Sequence, residues 1–251
     1  TKSLLLYHIL VGGSVKLNPM MPYESLILEV FHRLLSRYGR QNWWPAQSAF
    51  EMMIGAILTQ STSWTNAEKA ILNLSSAGAL SLDVLNSLPT HDISRLIYSS
   101  GYHNTKAERI KALTTFLSHR FDSRIESMSN TETKTLRDEF LSVHGIGEET
   151  ADAILLYALD KPTFVIDLYT RRIFSRLGTV KVQDRYDEIQ ASFLENLPPD
   201  ILVYQEYHAL IIRHAQDTCK KTPDCLRCCL QTVCATGTRM YQTSSNQCIS
   251  Q

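Results

Sequence analysis

Apolar residues recur at helical spacing along almost the whole chain, and this period limits the available folds more than any other feature. Leu26, Ile27, Val30, Leu34 and Leu35 share one face, and Gly39 stands where a helix C-cap belongs. Phe50, Met53, Ile54, Ile57 and Leu58 form a second stripe, and Ala67, Ala70, Ile71 and Leu74 a third. Ala107, Ile110, Leu113 and Leu117 follow the turn-like Gly101-Tyr102-His103-Asn104. Further on come Ala151, Ile154, Leu155, Ala158 and Leu159, then Ile173 and Leu177 before Gly178, then Tyr186, Ile189 and Phe193. Val203, Tyr207, Leu210, Ile211 and His214 close the series. No alternating strand pattern is present, and Phe164-Val165-Ile166 is too short to count as one. The pattern predicts an all-α protein of about ten short helices with short links.

The 251 residues leave room for one large domain or two modest ones. Lys161-Pro162 is the best candidate break, because proline stops a preceding helix. No apolar run reaches the ~18–20 residues that span a bilayer, so no membrane partner is expected. Residues 1–20 read as a leader, expected to be poorly ordered; Leu4 to Val11 could pass for a weak signal peptide. Formal net charge is zero, which points away from a nucleic-acid partner unless a basic surface is local.

Five of the six cysteines lie between Cys219 and Cys234, a crowding that suits a metal site in a reducing, intracellular compartment rather than a disulfide framework. Cys219, Cys225, Cys228 and Cys234 are separated by five, two and five residues. Four thiolates on a short loop can hold tetrahedral zinc or a cubane iron–sulfur cluster. Cys229 adjoins Cys228 and either could ligate, but the two-residue gap from Cys225 favours Cys228. Cys248, in a polar tail, reads as a free thiol.

Two further features sit upstream. Gly145-Ile146-Gly147 permits a tight turn and close backbone approach, and the helix after it begins with unpaired N–H groups able to hold a phosphate. Glu148 and Glu149 suit that helix end as well. Asp167 stands before a helical pattern that starts at Leu168, the position of an N-cap. Alone, the first could be a helix-turn-helix corner and the second only a cap.

Their order is more specific than either part. A Gly-hydrophobic-Gly hairpin, Val-Ile-Asp twenty residues after its second glycine, Arg176-Leu177-Gly178 and a four-cysteine loop together resemble the endonuclease III family of helix-hairpin-helix DNA glycosylases. Ile57-Leu58-Thr59-Gln60-Ser61-Thr62 looks like that family's Leu-x-x-Gln-x-Thr segment, and Gly101 to Ala107 like its Gly-x-x-x-x-Lys-Ala segment. The resemblance spans residues 22 to 236. It implies a six-helix barrel over 43–160 carrying the hairpin at 143–147. It also implies a second helical domain from 21–42 plus 161–251, with a 4Fe–4S cluster on loop 219–234. Double-stranded DNA would lie across the cleft of a monomeric enzyme, with the damaged base flipped into a pocket. Gln60 would fill the gap left in the duplex. The amides of Gly145, Ile146 and Gly147, often with a bound monovalent cation, would hold a phosphate, and Lys106 would make another backbone contact. The family's first cysteine gap is six residues, so this loop would be one residue tighter.

The resemblance also implies the chemistry. Bifunctional members carry a lysine two residues after the second hairpin glycine, whose amine forms a Schiff base with the sugar. Here that residue is Glu149, which cannot form an imine. The expectation is a monofunctional base-excision-repair glycosylase that leaves an abasic site, in the cytoplasm or nucleoid of a prokaryote. Asp167 would stabilise an oxocarbenium-like sugar and activate water, with Glu149 or Asp152 as the acids able to approach. Trp43, Trp44 and Trp64 could line the base pocket, since indole faces attract a cationic ring; core packing is their other reading. Trp-Trp-Pro and the missing lysine resemble the 3-methyladenine glycosylase branch. The alternatives are a mismatch, uracil-type or bifunctional enzyme on the same scaffold, a non-catalytic DNA-binding module, and a zinc-stabilised interaction domain unrelated to DNA.

Overall fold

The computed structural model describes residues 26–181 and 183–249, with side chains through residue 242. The expected leader at 1–20 and the free thiol of Cys248 lie outside what is described. Among the described residues there are α-helices, short 3₁₀ turns and one π turn, and no strand.

Helix α1 spans Leu26–Tyr38, buries Ile27, Val30, Phe31 and Leu34, and ends at Gly39, whose φ of +68° is the left-handed value a C-cap glycine supplies. Helix α2, Ala49–Leu58, is buried from Phe50 onward except at Glu51, as an apolar-all-round core helix should be. Helices α3 (Trp64–Ser76), α4 (Leu82–Ser87), α5 (Thr90–Leu96), α6 (His103–Phe121), α7 (Thr133–Leu141) and α8 (Glu148–Ala153) follow. The Ala151-to-Leu159 stripe is not one α-helix: it widens into a π turn over Ile154–Ala158. Then come α9 (Leu168–Leu177), α10 (Tyr186–Asn196), α11 (Ile201–Asp217) and α12 (Ala235–Ile249).

The chain forms two compact units. The hairpin unit is Trp44–Thr163, and the thiol unit joins the segment up to Trp43 with Phe164 onward. In the hairpin unit α2 packs against α6 and the π turn, where Leu113, Leu117, Ile154 and Leu155 are fully buried. Asp152 is fully buried there; it takes both Nε (3.0 and 3.2 Å) and Nη2 (3.2 Å) of Arg137, plus the Thr163 hydroxyl at 2.9 Å. Every oxygen of that carboxylate is therefore paired, as burial of a charge demands.

Phe164, Val165 and Ile166 are extended, yet they do not pair as a strand. They plug the core of the thiol unit. Phe164 stacks on Phe193 at 4.3 Å and 22° and meets Tyr204 and Tyr207 edge-on. Full burial of such a ring is worth roughly 1.5–3 kcal/mol. Side chains satisfy the backbone a sheet would otherwise have paired: Gln190 Nε2 donates to the Phe164 carbonyl at 2.7 Å, and the Ile166 N–H donates to Tyr186 Oη at 3.2 Å. This pins the residue that follows, Asp167.

Candidate active site

Asp167 caps α9. Its Oδ1 accepts from the Thr170 N–H at 2.6 Å and from the Thr170 hydroxyl at 2.7 Å. Its Oδ2 lies 3.6 Å from Nε2 of His208, which comes from the middle of α11. Both residues are buried, at 6% and 4% exposure. Burial pushes the carboxyl pKa up, but the His208 contact and the Thr170 bonds outweigh it and hold the carboxyl below its ordinary value. Asp167 is thus an ionised carboxylate in a sparsely hydrated place.

The hairpin joins α7 to α8. Gly145 has φ +81°, and a Cβ there would sit 2.2 Å from Arg109 Cγ, so only glycine fits. Gly147 is the N-cap of α8 and is exposed. Among the described residues the amides of Gly145 and Gly147 donate to no backbone carbonyl. Ile146, by contrast, is 4% exposed; its side chain anchors the turn in the core.

Gln60 belongs to the same assembly. Its Nε2 donates to the Gly145 carbonyl at 3.2 Å and to Thr150 Oγ1 at 2.9 Å, while its Oε1 accepts from Arg109 Nη1. In this structure Gln60 braces the hairpin from below.

Lys106 departs from the expected backbone contact. It is 1% exposed, and its Nζ donates to the carbonyls of Leu58 (2.8 Å) and Ser100 (2.7 Å). Burial, with the charge of Arg109 second, lowers its pKa to about 8. The amine closes the end of α2 onto the 3₁₀ turn at Tyr98–Ser100 and does not reach the surface. A second correction concerns Asp152: tied to Arg137 and Thr163, it has no free oxygen with which to act as an acid. Glu149 is exposed at the second position of α8.

Two of the three tryptophans meet. Trp44 lies edge-to-face on Trp64 at 5.3 Å and 88°, and leans on Tyr157 at 5.7 Å. Gly55 makes room for it, since a Cβ there would come within 3.2 Å of the Trp44 ring. Both indoles are half-buried, so neither core packing nor full exposure describes them. Trp43 falls in the thiol unit, on a segment held by the Gln41 N–H donating to Glu206 at 2.6 Å.

In the thiol unit Cys219, Cys225, Cys228 and Cys234 line one small pocket together with Arg176 and Gly237; Cys229 is not part of that lining. Donors point at the sulfurs. Arg176 Nη1 lies 3.1 Å from Cys219, the Leu230 N–H 3.4 Å from Cys228 and the Gly237 N–H 3.4 Å from Cys234. Such donors suit thiolates. Burial pushes the Cys228 thiol up to about 12. Among the described residues, no three His, Cys, Asp or Glu side chains close to single-ion distance.

Sequence reasoning missed Arg109, Tyr157 and His208. Arg109 follows Lys106 by one helical turn, and Tyr157 sits off the apolar stripe. The signal for His208 was present: a titratable residue inside the apolar run between Tyr207 and Leu210.

An all-helical fold with a braced glycine hairpin, a buried cap carboxylate and a four-thiol pocket defines a narrow class, and comparison with known proteins agrees. Residues 54–199 match the HhH-GPD superfamily of base excision DNA repair proteins. The chain is 44% identical over 212 residues to a Methanocaldococcus jannaschii protein provisionally named a DNA repair glycosylase, covering 84% of this chain and 96% of that one. It resembles the crystal structure of Helicobacter pylori 3-methyladenine DNA glycosylase bound to 1,N6-ethenoadenine, with TM-score 0.68 and 27% identity over 76% of this chain and 97% of that one. It also shares the fold of endonuclease III in a non-covalent DNA complex, with TM-score 0.75 and 20% identity over 88% of this chain and all of that one. The chain belongs to the HhH-GPD superfamily of base excision DNA repair proteins. Zero net charge, which points away from DNA, misleads here because it sums over the chain and is blind to any local surface.

Proposed function

We propose that the protein is a monofunctional DNA N-glycosylase that removes an alkylated purine such as 3-methyladenine from duplex DNA and leaves an abasic site. The observation that carries this reading is a pairing of residues: a buried, ionised carboxylate at Asp167, and a carboxylate rather than an amine at Glu149. An attacking amine would give an imine and a lyase. A carboxylate alone supports hydrolysis. Water adds to C1′ of the sugar as the C–N pair leaves with the base, and one water proton passes to Asp167. The negative carboxylate also stabilises the oxocarbenium character that develops at the sugar. A cationic alkylated purine departs neutral, so no acid partner is required. That agrees with the occupied state of Asp152.

The edge-to-face pair Trp44–Trp64 offers indole surface to such a cationic ring. The ligand in the H. pylori relative's structure, an alkylated adenine derivative, favours the same substrate class. The hairpin amides of Gly145 and Gly147, with Gln60 and Arg109 bracing them, would take a DNA phosphate, with or without a monovalent cation. Cys219, Cys225, Cys228 and Cys234 would hold a 4Fe–4S cluster. The cluster's role would be to fix the loop.

The test is a panel of duplexes carrying an alkylated purine, uracil, a mismatched thymine or no lesion. Free alkylated purine and no pyrimidine release is the expected result. Pyrimidine release alone would transfer the chain to the mismatch or uracil class. No release from any duplex, with DNA binding intact, would make it a binding module.

A further inference from the structure

Asp200 provides an internal reference for Asp167. It caps α11 through Oδ1, bonded to the N–H groups of Leu202 (2.9 Å) and Val203 (3.4 Å), and does so half-exposed. Capping therefore needs neither burial nor a histidine. Asp167 has both. Its Oδ1 is fully used by Thr170, so Oδ2 is the oxygen left for chemistry, and His208 Nε2 stands 3.6 Å from it. That is ion-pair distance, a few tenths of an ångström beyond a good N–H···O bond. Hydrogen bonds anchor the helices that bring the pair together. Arg172 Nη2 on α9 donates to the Ala215 carbonyl on α11 at 3.0 Å, and Tyr207, beside His208, donates to the Ile27 carbonyl at 2.7 Å. The groups acting on the carboxylate are His208 and Thr170.

We infer that His208 is a positioning residue for base removal: its Nε2–H, directed at Oδ2, holds the Asp167 carboxylate fixed and ionised while leaving an Oδ2 lone pair for the attacking water. The inference rests on the catalytic reading of Asp167.

The test is single-turnover base release from an alkylated duplex by the full-length protein and its His208→Leu, His208→Gln and Asp167→Asn variants, each across a pH series. Loss of a buried ion-pair contact that tightens in the reacting complex predicts a fall of roughly 10- to 100-fold in His208→Leu, with duplex affinity nearly unchanged. The acid limb of its rate profile should also move to higher pH, because removing the donor raises the carboxyl pKa. His208→Gln, whose amide N–H can donate along the same line, should restore most of the rate and the parent's limb. In an Asp167→Asn background His208→Leu should cost nothing further. Asp167→Asn with parental activity would overturn the catalytic reading itself. An inactive Asp167→Asn beside a His208→Leu with parental rate and limb overturns the inference alone. So does a folded His208→Gln as slow as His208→Leu, and that comparison stands even if the leucine variant is unstable.

Discussion

Asp152 and Asp167 lie fifteen residues apart in sequence, both are buried, and the two units of the molecule treat them in opposite ways. In the hairpin unit Asp152 is neutralised by a guanidinium and a hydroxyl and has nothing left to offer. In the thiol unit Asp167 has one oxygen tied and the other faced by an imidazole at 3.6 Å. The first arrangement holds a helix in place. The second leaves Oδ2 with a longer contact, to the buried His208. Burial of an acid is thus no sign of catalysis by itself; the two carboxylates differ in how their oxygens are held.

Four experiments break or sharpen that contrast. Asp167→Asn keeps a good N-cap, so the fold should persist while base release drops on the order of 10²- to 10⁴-fold with DNA affinity retained. Full activity in single turnover would erase the distinction. Asp152→Ala removes the buried carboxylate that Arg137 and Thr163 share and should lower stability by about 3–5 kcal/mol in denaturant titration, with the rate per folded molecule unchanged. A stable but inactive Asp152→Ala would reverse the two roles. Acidification separates the parent from Asp167→Asn. A carboxyl held below its unfolded value of about 3.9 adds stability above that pH and loses it as pH falls through the folded value. The parent's advantage should therefore fade only in strong acid; fading between pH 6 and 5, as estimated from the usual carboxylate range, would place the folded pKa too high. Asp200→Ala, a half-exposed cap without a histidine, should cost about 1 kcal/mol and leave the rate alone.

The helical stripes, the capping positions of Gly39 and Asp167, and the clustering of four cysteines were all readable from the chain, because each depends on residues within a few positions of one another. Long-range placement was not. Lys106 has the spacing of a surface lysine, and only the packed turn at Tyr98–Ser100 reveals that its amine closes two carbonyls. His208 is forty-one residues from Asp167 and meets it only because α9 and α11 pack together. Phe164-Val165-Ile166 looks like a strand fragment but plugs a core, since Gln190 and Tyr186 supply the bonds a sheet would have given. Trp43 and Trp44 are adjacent in sequence and belong to different units, which spacing alone does not signal.

The central claim is hydrolysis by a carboxylate where a lyase would use an amine. The most direct measurement is the state of the lesion strand after one turnover on an alkylated duplex, read on a denaturing gel with and without alkali. The account predicts free base together with a strand that stays intact until alkali cleaves it at the abasic site. A strand already cut before alkali, or a borohydride-trapped protein–DNA adduct, would contradict it.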